Sequence, residues 1–166
     1  VSQLGDIQVI EGFDSEGKPK LRAPRRDVTT RHLLTHTAGF AYDFFNETYT
    51  RLANGQGQPW VVDASWKSIK TPLLFDPGEQ WEYGTSIDWA GMVVEAITGR
   101  RLGEVMQTRI LGPLGMNDTA FTMTPSMKAR QATIHAREDG DGSLIPLDGV
   151  TLPQEPELHM GGHGLY

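Results

Sequence analysis

The sequence has no cysteine, which excludes disulfide bonds and thiolate chemistry. It has no run of about 18 apolar residues, the length that a membrane-spanning helix needs. It has no basic face either, because the net charge is −6 and the lysines and arginines are scattered along the chain. We therefore expect no membrane span and no nucleic-acid partner, whereas the cellular compartment stays open.

What is present indicates an ordered globular protein. Hydrophobic residues make up 38% and charged residues 22% of the sequence, the usual range for a folded domain. The 166 residues are enough for one domain with a hydrophobic core. The chain begins without methionine at Val1 and stops at Tyr166, just after a glycine-rich stretch. We expect residues 1–166 to be an internal segment of a longer domain, with any signal peptide upstream and the localisation undetermined.

The residue pattern predicts two β-hairpins and several helices. Residues 131–147 place alternating apolar residues on both sides of a turn-rich centre, as a hairpin does, and residues 7–24 show the same pattern, which predicts a hairpin or an extended excursion. A short helix is expected over residues 31–37, capped by Thr29 or Thr30. Further short helices are expected near residues 47–53, 61–71 and 125–130.

The clearest helical pattern starts just after Tyr83. Apolar residues return at helical spacing on one face, and Thr85 with Asp88 has the spacing of a capping box. Gly99 is expected to end this helix, and a second helix over residues 102–110 should pack antiparallel to it. The face predicted to be buried consists of Ile87, Ala90, Val93, Val94 and Ile97.

Residues 75–88, with the sequence FDPGEQWEYGTSID, contain the best candidate for chemistry. A Pro-Gly turn precedes Tyr83 and the helix follows it, so the backbone holds the phenol from both sides. Tyr83 is then either a general base or proton relay, or a tyrosine that packs beneath the turn. Spacing alone favours packing.

Aromatic residues between residues 40 and 60 are a second candidate feature. They alternate with glycine, asparagine and glutamine and show no clean period. Such side chains either line a pocket or pack into the core, and packing is the commoner outcome. The residues are Tyr42, Phe44, Phe45, Tyr49 and Trp60.

Two pairs of histidines lie four residues apart, His32 with His36 and His159 with His163. This spacing puts two ligands on one helical face, but the zinc motif also needs a glutamate where Leu33 stands. The glycines inside the second pair favour a loop. We interpret the histidines as capping or packing residues and predict no metal site.

Residues 15–18 spell Ser-x-x-Lys, the arrangement in which a lysine activates a serine nucleophile. That chemistry requires a helix, so that Ser15 and Lys18 share a face. Gly17 and Pro19 disfavour a helix at this position. We therefore interpret these residues as a solvated turn.

Three stretches occur in a fixed order: TRHLLTHTAG at residues 30–39, FDPGEQWEY at residues 75–83 and ILGPLGMNDT at residues 110–119. Together they resemble the serine β-lactamase-related family, which includes class C β-lactamases, D-alanyl-D-alanine carboxypeptidases and family VIII carboxylesterases. The resemblance implies an α/β (α+β) β-lactamase/transpeptidase-like fold. Residues 1–166 would be mostly its helical domain with short hairpins, and would lack most of the central antiparallel sheet.

The resemblance also implies a mechanism. Members of the family transfer an acyl group to the serine of a Ser-x-x-Lys helix, assisted by a tyrosine and without a cofactor. Of these groups only the tyrosine has a counterpart here, at Tyr83. The serine and lysine are expected before Val1 and a third motif after Tyr166. The remainder of the polypeptide, or a complementary chain, would supply them together with the sheet.

The residue two positions after the tyrosine separates the branches of the family. β-Lactamases and peptidases usually carry asparagine there to bind the substrate amide, whereas this sequence has Thr85 and resembles family VIII esterases. We therefore expect a serine carboxylesterase that cleaves short-chain acyl esters, with weak β-lactamase activity as a secondary expectation. The alternatives are a class C-type β-lactamase or D-alanyl-D-alanine carboxypeptidase, and a catalytically inactive binding protein of the same fold.

Substrate-binding candidates follow from the same resemblance and from the aromatic residues. Residues 161–164 resemble the Gly-Gly-x-Gly segment of the family near the active-site wall, and their glycines suit a close backbone approach. The expected partner is a small-molecule ester. The candidates are Thr85, Tyr42, Phe44, Gly162 and His163.

Overall fold

The computed structural model describes residues 4–147 and 151–166, which form helices and two separate two-stranded sheets. The strands are β1 (Val9–Phe13), β2 (Pro19–Arg22), β3 (Ile134–Arg137) and β4 (Leu144–Leu147). The α-helices are α1 (Thr30–Leu34), α2 (Glu47–Gln56), α3 (Trp66–Ile69), α4 (Ser86–Thr98), α5 (Leu102–Met106) and α6 (Pro125–Ala129). A 3₁₀ turn covers Val61–Asp63 and a π-helical turn covers Gln107–Leu111. No helix in the described part of the chain is long and apolar enough to cross a membrane.

Both predicted hairpins are confirmed. β1 pairs antiparallel with β2, and in the turn between them the Asp14 carboxylate accepts hydrogen bonds from the N–H groups of Glu16 and Lys18. β3 pairs antiparallel with β4, with Ile134 opposite Leu147. Alternation and turn residues suffice to predict these hairpins because their pairing is local.

Helix α1 is shorter than predicted. Thr29 caps it: the Thr29 hydroxyl accepts the N–H of His32, and Nδ1 of His32 accepts the N–H of Thr29, both at 3.2 Å. The helix ends at Leu34, and His36 adopts a left-handed conformation with φ 54°. His32 and His36 therefore do not share a helical face, because the second histidine lies outside the helix.

Helix α4 is confirmed, and Gly99 ends it in the left-handed conformation. Its buried face differs from the prediction, because Trp89 and Met92 are buried whereas Ile97 is 79% exposed. The predicted capping box is wrong as well. Thr85 has φ −69° and ψ 13° and makes no capping hydrogen bond, since a capping side chain reaches the helix from an extended backbone.

Two other predicted helices are interrupted. Residues 61–71 form the 3₁₀ turn and α3 rather than one helix, because Ala64 between them has φ 50°. Residues 102–110 start as α5 and continue as the π-helical turn, which Gly112 N–H closes by donating to the carbonyl of Gln107 at 2.9 Å. A Cβ atom at residue 112 would lie 2.8 Å from that oxygen. The predicted short helices α2 and α6 are confirmed.

The core joins α1, α3 and α4. Trp89 of α4 is fully buried, and its ring stacks on Phe40 with the ring centroids 5.6 Å apart. The indole N–H of Trp89 donates to the carbonyl of Ile69 in α3 at 3.3 Å. Leu33 of α1 belongs to the same hydrophobic cluster. Because packed interiors resist displacement, this core fixes the first turn of α4, which follows directly after Tyr83.

Candidate active site

The Pro-Gly turn ahead of the candidate tyrosine is anchored by a buried carboxylate. Asp76 accepts two hydrogen bonds from the Arg22 guanidinium, at 2.9 and 2.8 Å, and one from the N–H of Arg25 at 2.8 Å. These hydrogen bonds lower the pKa of Asp76 to about 2, so its carboxylate is ionised at neutral pH. In the turn itself, Gly78 has φ 89° and donates its N–H to the carbonyl of Thr37 at 2.7 Å.

The backbone around Tyr83 is fixed on both sides. The N–H of Glu82 donates to the carbonyl of His36 at 2.9 Å, and the N–H of Gly84 donates to Nδ1 of His36 at 3.4 Å. Gly84 also packs directly on the backbone at Ala41, since a Cβ atom at residue 84 would lie 2.3 Å from the Ala41 Cα atom. The position of Tyr83 between a turn and a helix agrees with the sequence pattern.

The ring of Tyr83 lies among exposed and buried aromatic side chains. Its centroid is 4.9 Å from that of His36 and 5.2 Å from that of Tyr42. Phe45 and Trp81 follow at 6.3 and 6.5 Å. Tyr83 is 45% exposed, so packing holds the ring while part of the side chain stays accessible, as contact with a reacting group requires. We define the aromatic cluster as His36, Tyr42, Phe44, Phe45, Trp81 and Tyr83.

The aromatic candidates between residues 40 and 60 divide between surface and core. Phe44 and Phe45 are 51% and 69% exposed, and their ring centroids are 4.6 Å apart. Trp60 is exposed as well. Tyr49 is buried, and its hydroxyl donates to the carbonyl of Pro72 at 2.6 Å. Phe44 and Phe45 are therefore the members of this group that present an apolar surface beside Tyr83.

A layer of buried polar groups adjoins the aromatic cluster. Asp88, in the first turn of α4, accepts the N–H of Gly162 through Oδ1 at 2.8 Å, and Nδ1 of His163 lies 3.6 Å from the same oxygen. A Cβ atom at residue 162 would lie 2.9 Å from the Tyr42 hydroxyl oxygen and 3.0 Å from Asp88 Oδ2. Glycine thus leaves these groups the space that a side chain would take. We define the polar layer as Tyr42, Asp88, Gly162 and His163.

Burial dominates the electrostatics of the polar layer. It raises the pKa of Asp88 to about 6, although the hydrogen bond from Gly162 acts in the opposite direction. It also raises the pKa of Tyr42 and lowers the pKa of His163. At neutral pH the layer therefore holds an ionised carboxylate beside a neutral phenol and a neutral imidazole.

The sequence pattern missed Asp88. Its spacing from Thr85 indicated a helix cap. Its carboxylate is instead fully buried and accepts a hydrogen bond from the loop of residues 161–164. The available signal was a single acidic residue inside the otherwise apolar first half of α4. Three of the predicted substrate-binding residues, Tyr42, Gly162 and His163, meet around this residue.

Thr85 lies in the interior of the chain. Thr85 is 2% exposed and lines a small, partly open cavity of about 10 Å³ together with Asp43 and Thr71. That volume corresponds to about one water molecule. Asp43 accepts the N–H of Val61 at 2.7 Å, and burial raises the pKa of Asp43. Thr85, predicted to bind substrate, is therefore part of the packed interior two residues after Tyr83 and does not lie on the surface around the phenol.

The remaining sequence candidates lie elsewhere. Ser15 and Lys18 occupy the exposed turn between β1 and β2, where Lys18 pairs with Glu16 at 2.9 Å. His159 stacks on Phe121 with ring centroids 4.6 Å apart. Within residues 4–147 and 151–166, no group of three or more histidine or acidic side chains is arranged to hold a metal ion.

The fold and the site together define a class of protein. A helix-rich region with two short hairpins, in which a turn and a helix present an accessible tyrosine, belongs to the β-lactamase/transpeptidase-like fold. This is a fold of serine hydrolases and related acyltransferases. The chain itself is a member of the Beta-lactamase family, whose family model matches residues 18–166.

Curated relatives include both acyltransferases and esterases. Monacolin J acid methylbutanoyltransferase from Aspergillus terreus is 37% identical over 166 residues, which cover 98% of this chain and 40% of that protein. Lovastatin esterase from Penicillium rubens is 34% identical over 172 residues, 99% of this chain and 42% of that protein. Esterase EstB from Burkholderia gladioli is 31% identical and covers 80% of this chain and 34% of that protein.

Solved structures agree with this assignment. The LovD6 mutant of simvastatin synthase from Aspergillus terreus superposes with a TM-score of 0.87 at 38% identity, covering 99% of this chain. EstCE1, described as a hydrolase with promiscuous acyltransferase activity, superposes with a TM-score of 0.65 at 23% identity and supports the fold alone. The chain spans 40% of the length of simvastatin synthase.

Proposed function

We propose that this chain is the helical part of a serine carboxylesterase that cleaves short-chain acyl esters through an acyl-serine intermediate. The observation that carries the proposal is the fixed and accessible phenol of Tyr83 in the aromatic cluster. Two relatives named as esterases, lovastatin esterase and EstB, support the choice of an ester substrate.

The proposed reaction has two acyl-transfer steps. A lysine of the full-length protein takes the proton of the nucleophilic serine, whose oxygen attacks the ester carbonyl. The tetrahedral intermediate then expels the alcohol oxygen, to which Tyr83 passes a proton while it takes the proton held by the lysine. Water next attacks the acyl-serine carbonyl, and one proton of this water passes through Tyr83 and the lysine to the departing serine oxygen, which releases the acid. Backbone N–H groups stabilise the oxyanion in both steps. The serine, the lysine and the central sheet come from outside residues 1–166, an internal segment of one domain.

The site offers a surface for the acyl chain. Phe44 and Phe45 form an exposed apolar wall beside Tyr83, of the kind that binds a short alkyl group. Thr85 stands where β-lactamases carry an amide-binding asparagine, and its short buried side chain favours esters over β-lactams. The substrate-binding region in this proposal comprises Phe44 and, from the polar layer, Tyr42, Gly162 and His163, whereas Thr85, predicted to bind substrate, acts from the packed interior.

A second candidate function is transfer of the acyl group to an alcohol instead of water. The 37% identity with monacolin J acid methylbutanoyltransferase favours it. The first acyl-transfer step would be unchanged. In the second step, an alcohol bound near Tyr83 would attack the acyl-serine carbonyl, and its proton would pass through Tyr83 to the departing serine oxygen, which releases the new ester and the free serine.

Turnover of an ester and of a β-lactam by the full-length protein tests the proposal. We expect kcat/KM for p-nitrophenyl butyrate to exceed that for a cephalosporin by at least about 5-fold, because an amide left without its partner loses about 1–3 kcal/mol. When cyclohexanol is added, the product should remain butyric acid. Formation of cyclohexyl butyrate would instead favour the acyltransferase function. Faster cleavage of the cephalosporin would indicate a β-lactamase. No turnover of either substrate would indicate an inactive binding protein.

A further inference from the structure

The carboxylate of Asp88 is buried with few partners. The side chain is 0% exposed, and its Oδ1 atom accepts one hydrogen bond, from the N–H of Gly162. Oδ2 accepts no hydrogen bond of ordinary geometry among the described residues, although the Tyr42 hydroxyl is close enough for hydrogen bonding to lower the pKa of Asp88. The ion-pair neighbour found there, His163, has a pKa that burial lowers, so it offers little compensating charge. Burial of a charge in such surroundings costs free energy. An asparagine of the same shape would avoid that cost, so the charge of Asp88 indicates a role other than stability.

Asp88 adjoins two parts of the candidate active site. One is the loop of residues 161–164, which it holds through Gly162. The other is Tyr42, whose hydroxyl oxygen lies near the same point as the carboxylate. A Cβ atom at residue 162 would be 2.9 Å from the Tyr42 hydroxyl oxygen and 3.0 and 3.1 Å from the two Asp88 oxygens. The hydroxyl and the carboxylate therefore both border the space beside Gly162, and hydrogen bonding between the two side chains lowers the pKa of Asp88. Next to burial, the charge of Asp88 is the largest cause that raises the pKa of Tyr42.

Tyr42 connects this carboxylate to the aromatic cluster. Its ring packs edge-on against Tyr83, with centroids 5.2 Å apart and an interplanar angle of 69°. The same ring stacks on Phe44 at 5.0 Å and 11°. A change in the orientation of the Tyr42 ring would therefore displace Tyr83 and the apolar wall together.

We infer that Asp88 is a positioning residue, which holds Tyr42 and the loop of residues 161–164 in the arrangement that orients the phenol of Tyr83. The catalytic consequence rests on the proposed function, in which Tyr83 is the proton relay. The geometric link from Asp88 through Tyr42 to Tyr83 does not depend on it.

The effect of Asp88 ionisation on protein stability distinguishes a positioning role from a stabilising role. The titratable groups that face Asp88 are Tyr42 and His163. The pKa of His163 is lowered by burial, and the charge of Asp43 opposes this effect. The pKa of Asp88, raised from 3.8 to about 6, means that its contribution to stability is greatest below pH 3.8 and is lost as the pH rises through about 6. At pH 8 the ionised carboxylate destabilises the fold, and asparagine should relieve this effect.

Asp88→Asn in the full-length protein tests the inference at pH 8. We expect a Tm equal to or above that of the wild type, because the buried charge is gone and the hydrogen bond from Gly162 can remain. For p-nitrophenyl butyrate we expect kcat to fall about 10- to 100-fold with KM within about threefold, because a misplaced group acts on the chemical step. Asp27→Asn, at an exposed aspartate, is the matched control and should change neither quantity.

Tyr42→Phe is the second variant, because it removes the hydroxyl that faces Asp88. It should lower kcat by a similar factor, and the double variant should be no slower than the slower single variant, since both changes break one link. A kcat within twofold of wild type in Asp88→Asn would overturn the inference. An Asp88→Asn protein that is less stable than the wild type, or does not fold, would show a structural role alone and would overturn it as well.

Fluorine NMR of fluorotyrosine placed at residue 83 gives a readout without activity. Its resonance should shift in Asp88→Asn and stay unchanged in Asp27→Asn. A protein that shows this shift but hydrolyses no ester would contradict the proposed function and leave the link from Asp88 to Tyr83 standing. An active wild type whose resonance is unaffected by Asp88→Asn would contradict the link and leave the proposed function standing.

Discussion

Tyr83→Phe in the full-length protein is expected to lower kcat/KM for p-nitrophenyl butyrate by about 10²–10⁴-fold, the usual contribution of one proton-transfer group. The fold should survive the change. The contacts of Tyr83 with His36 and Tyr42 are made by the ring, which phenylalanine keeps. The loss should therefore appear in the rate of ester hydrolysis, with the Tm close to that of the wild type.

Tyr166→Phe is the matched control for this experiment. The Tyr166 hydroxyl donates to the carbonyl of Leu152 at 2.9 Å and takes no part in the aromatic cluster. The same hydroxyl accepts a hydrogen bond from Gln154 Nε2 at 2.9 Å. Its removal should cost about 2 kcal/mol of stability, the net value of two hydrogen bonds, and should leave the esterase rate near that of the wild type. A Tyr83→Phe enzyme with activity within threefold of wild type would remove Tyr83 from the proposed mechanism.

Gly84→Ala is expected to have the next largest effect, because no change of rotamer can relieve the clash. The added Cβ atom would lie 2.3 and 2.4 Å from the Cα and carbonyl carbon atoms of Ala41, and 2.5 Å from the carbonyl oxygen of Phe40. Overpacking typically costs about 1–3 kcal/mol, and more where the backbone must move. Since Gly84 adjoins Tyr83, the same displacement should lower the esterase rate by about 100-fold.

Gly55→Ala separates this clash from the general effect of adding a methyl group. Gly55 lies in α2, and a Cβ atom there would meet no atom within 4 Å. Alanine has the higher helix propensity, so this variant should gain up to about 1 kcal/mol. Urea unfolding and ester hydrolysis measure both variants. A Gly84→Ala protein as stable and as active as the wild type would contradict the close packing of Gly84 on the chain at Ala41.

The parts of the fold that the sequence predicts are those set by nearby residues. The first hairpin follows from alternation on both sides of a turn that contains Gly17, and α4 ends at Gly99 as expected. The position of Tyr83 between a Pro-Gly turn and a helix follows from residues 75–88 alone. The three ordered motifs were sufficient to indicate the family to which the chain belongs.

The parts that the sequence does not predict depend on contacts between distant segments. Asp88 has the spacing of a capping residue, but Gly162, 74 residues later, binds its carboxylate. Ile97 has the period of a buried face, yet the packing of Trp89 in the core leaves it exposed. His36 was expected in a helix, and instead its left-handed backbone lies outside α1 and binds the chain on both sides of Tyr83. Local secondary-structure propensities do not encode these tertiary contacts.

Labelling with an alkyl fluorophosphonate tests most directly whether Tyr83 assists a serine that lies outside residues 1–166. This reagent attaches covalently to activated serines, and peptide mapping by mass spectrometry locates the modified residue. In the full-length protein we predict one labelled serine, in a Ser-x-x-Lys sequence upstream of residue 1, and much slower labelling in Tyr83→Phe. Labelling of Ser15, no labelling of an active enzyme, or an equal labelling rate in Tyr83→Phe would contradict this mechanism.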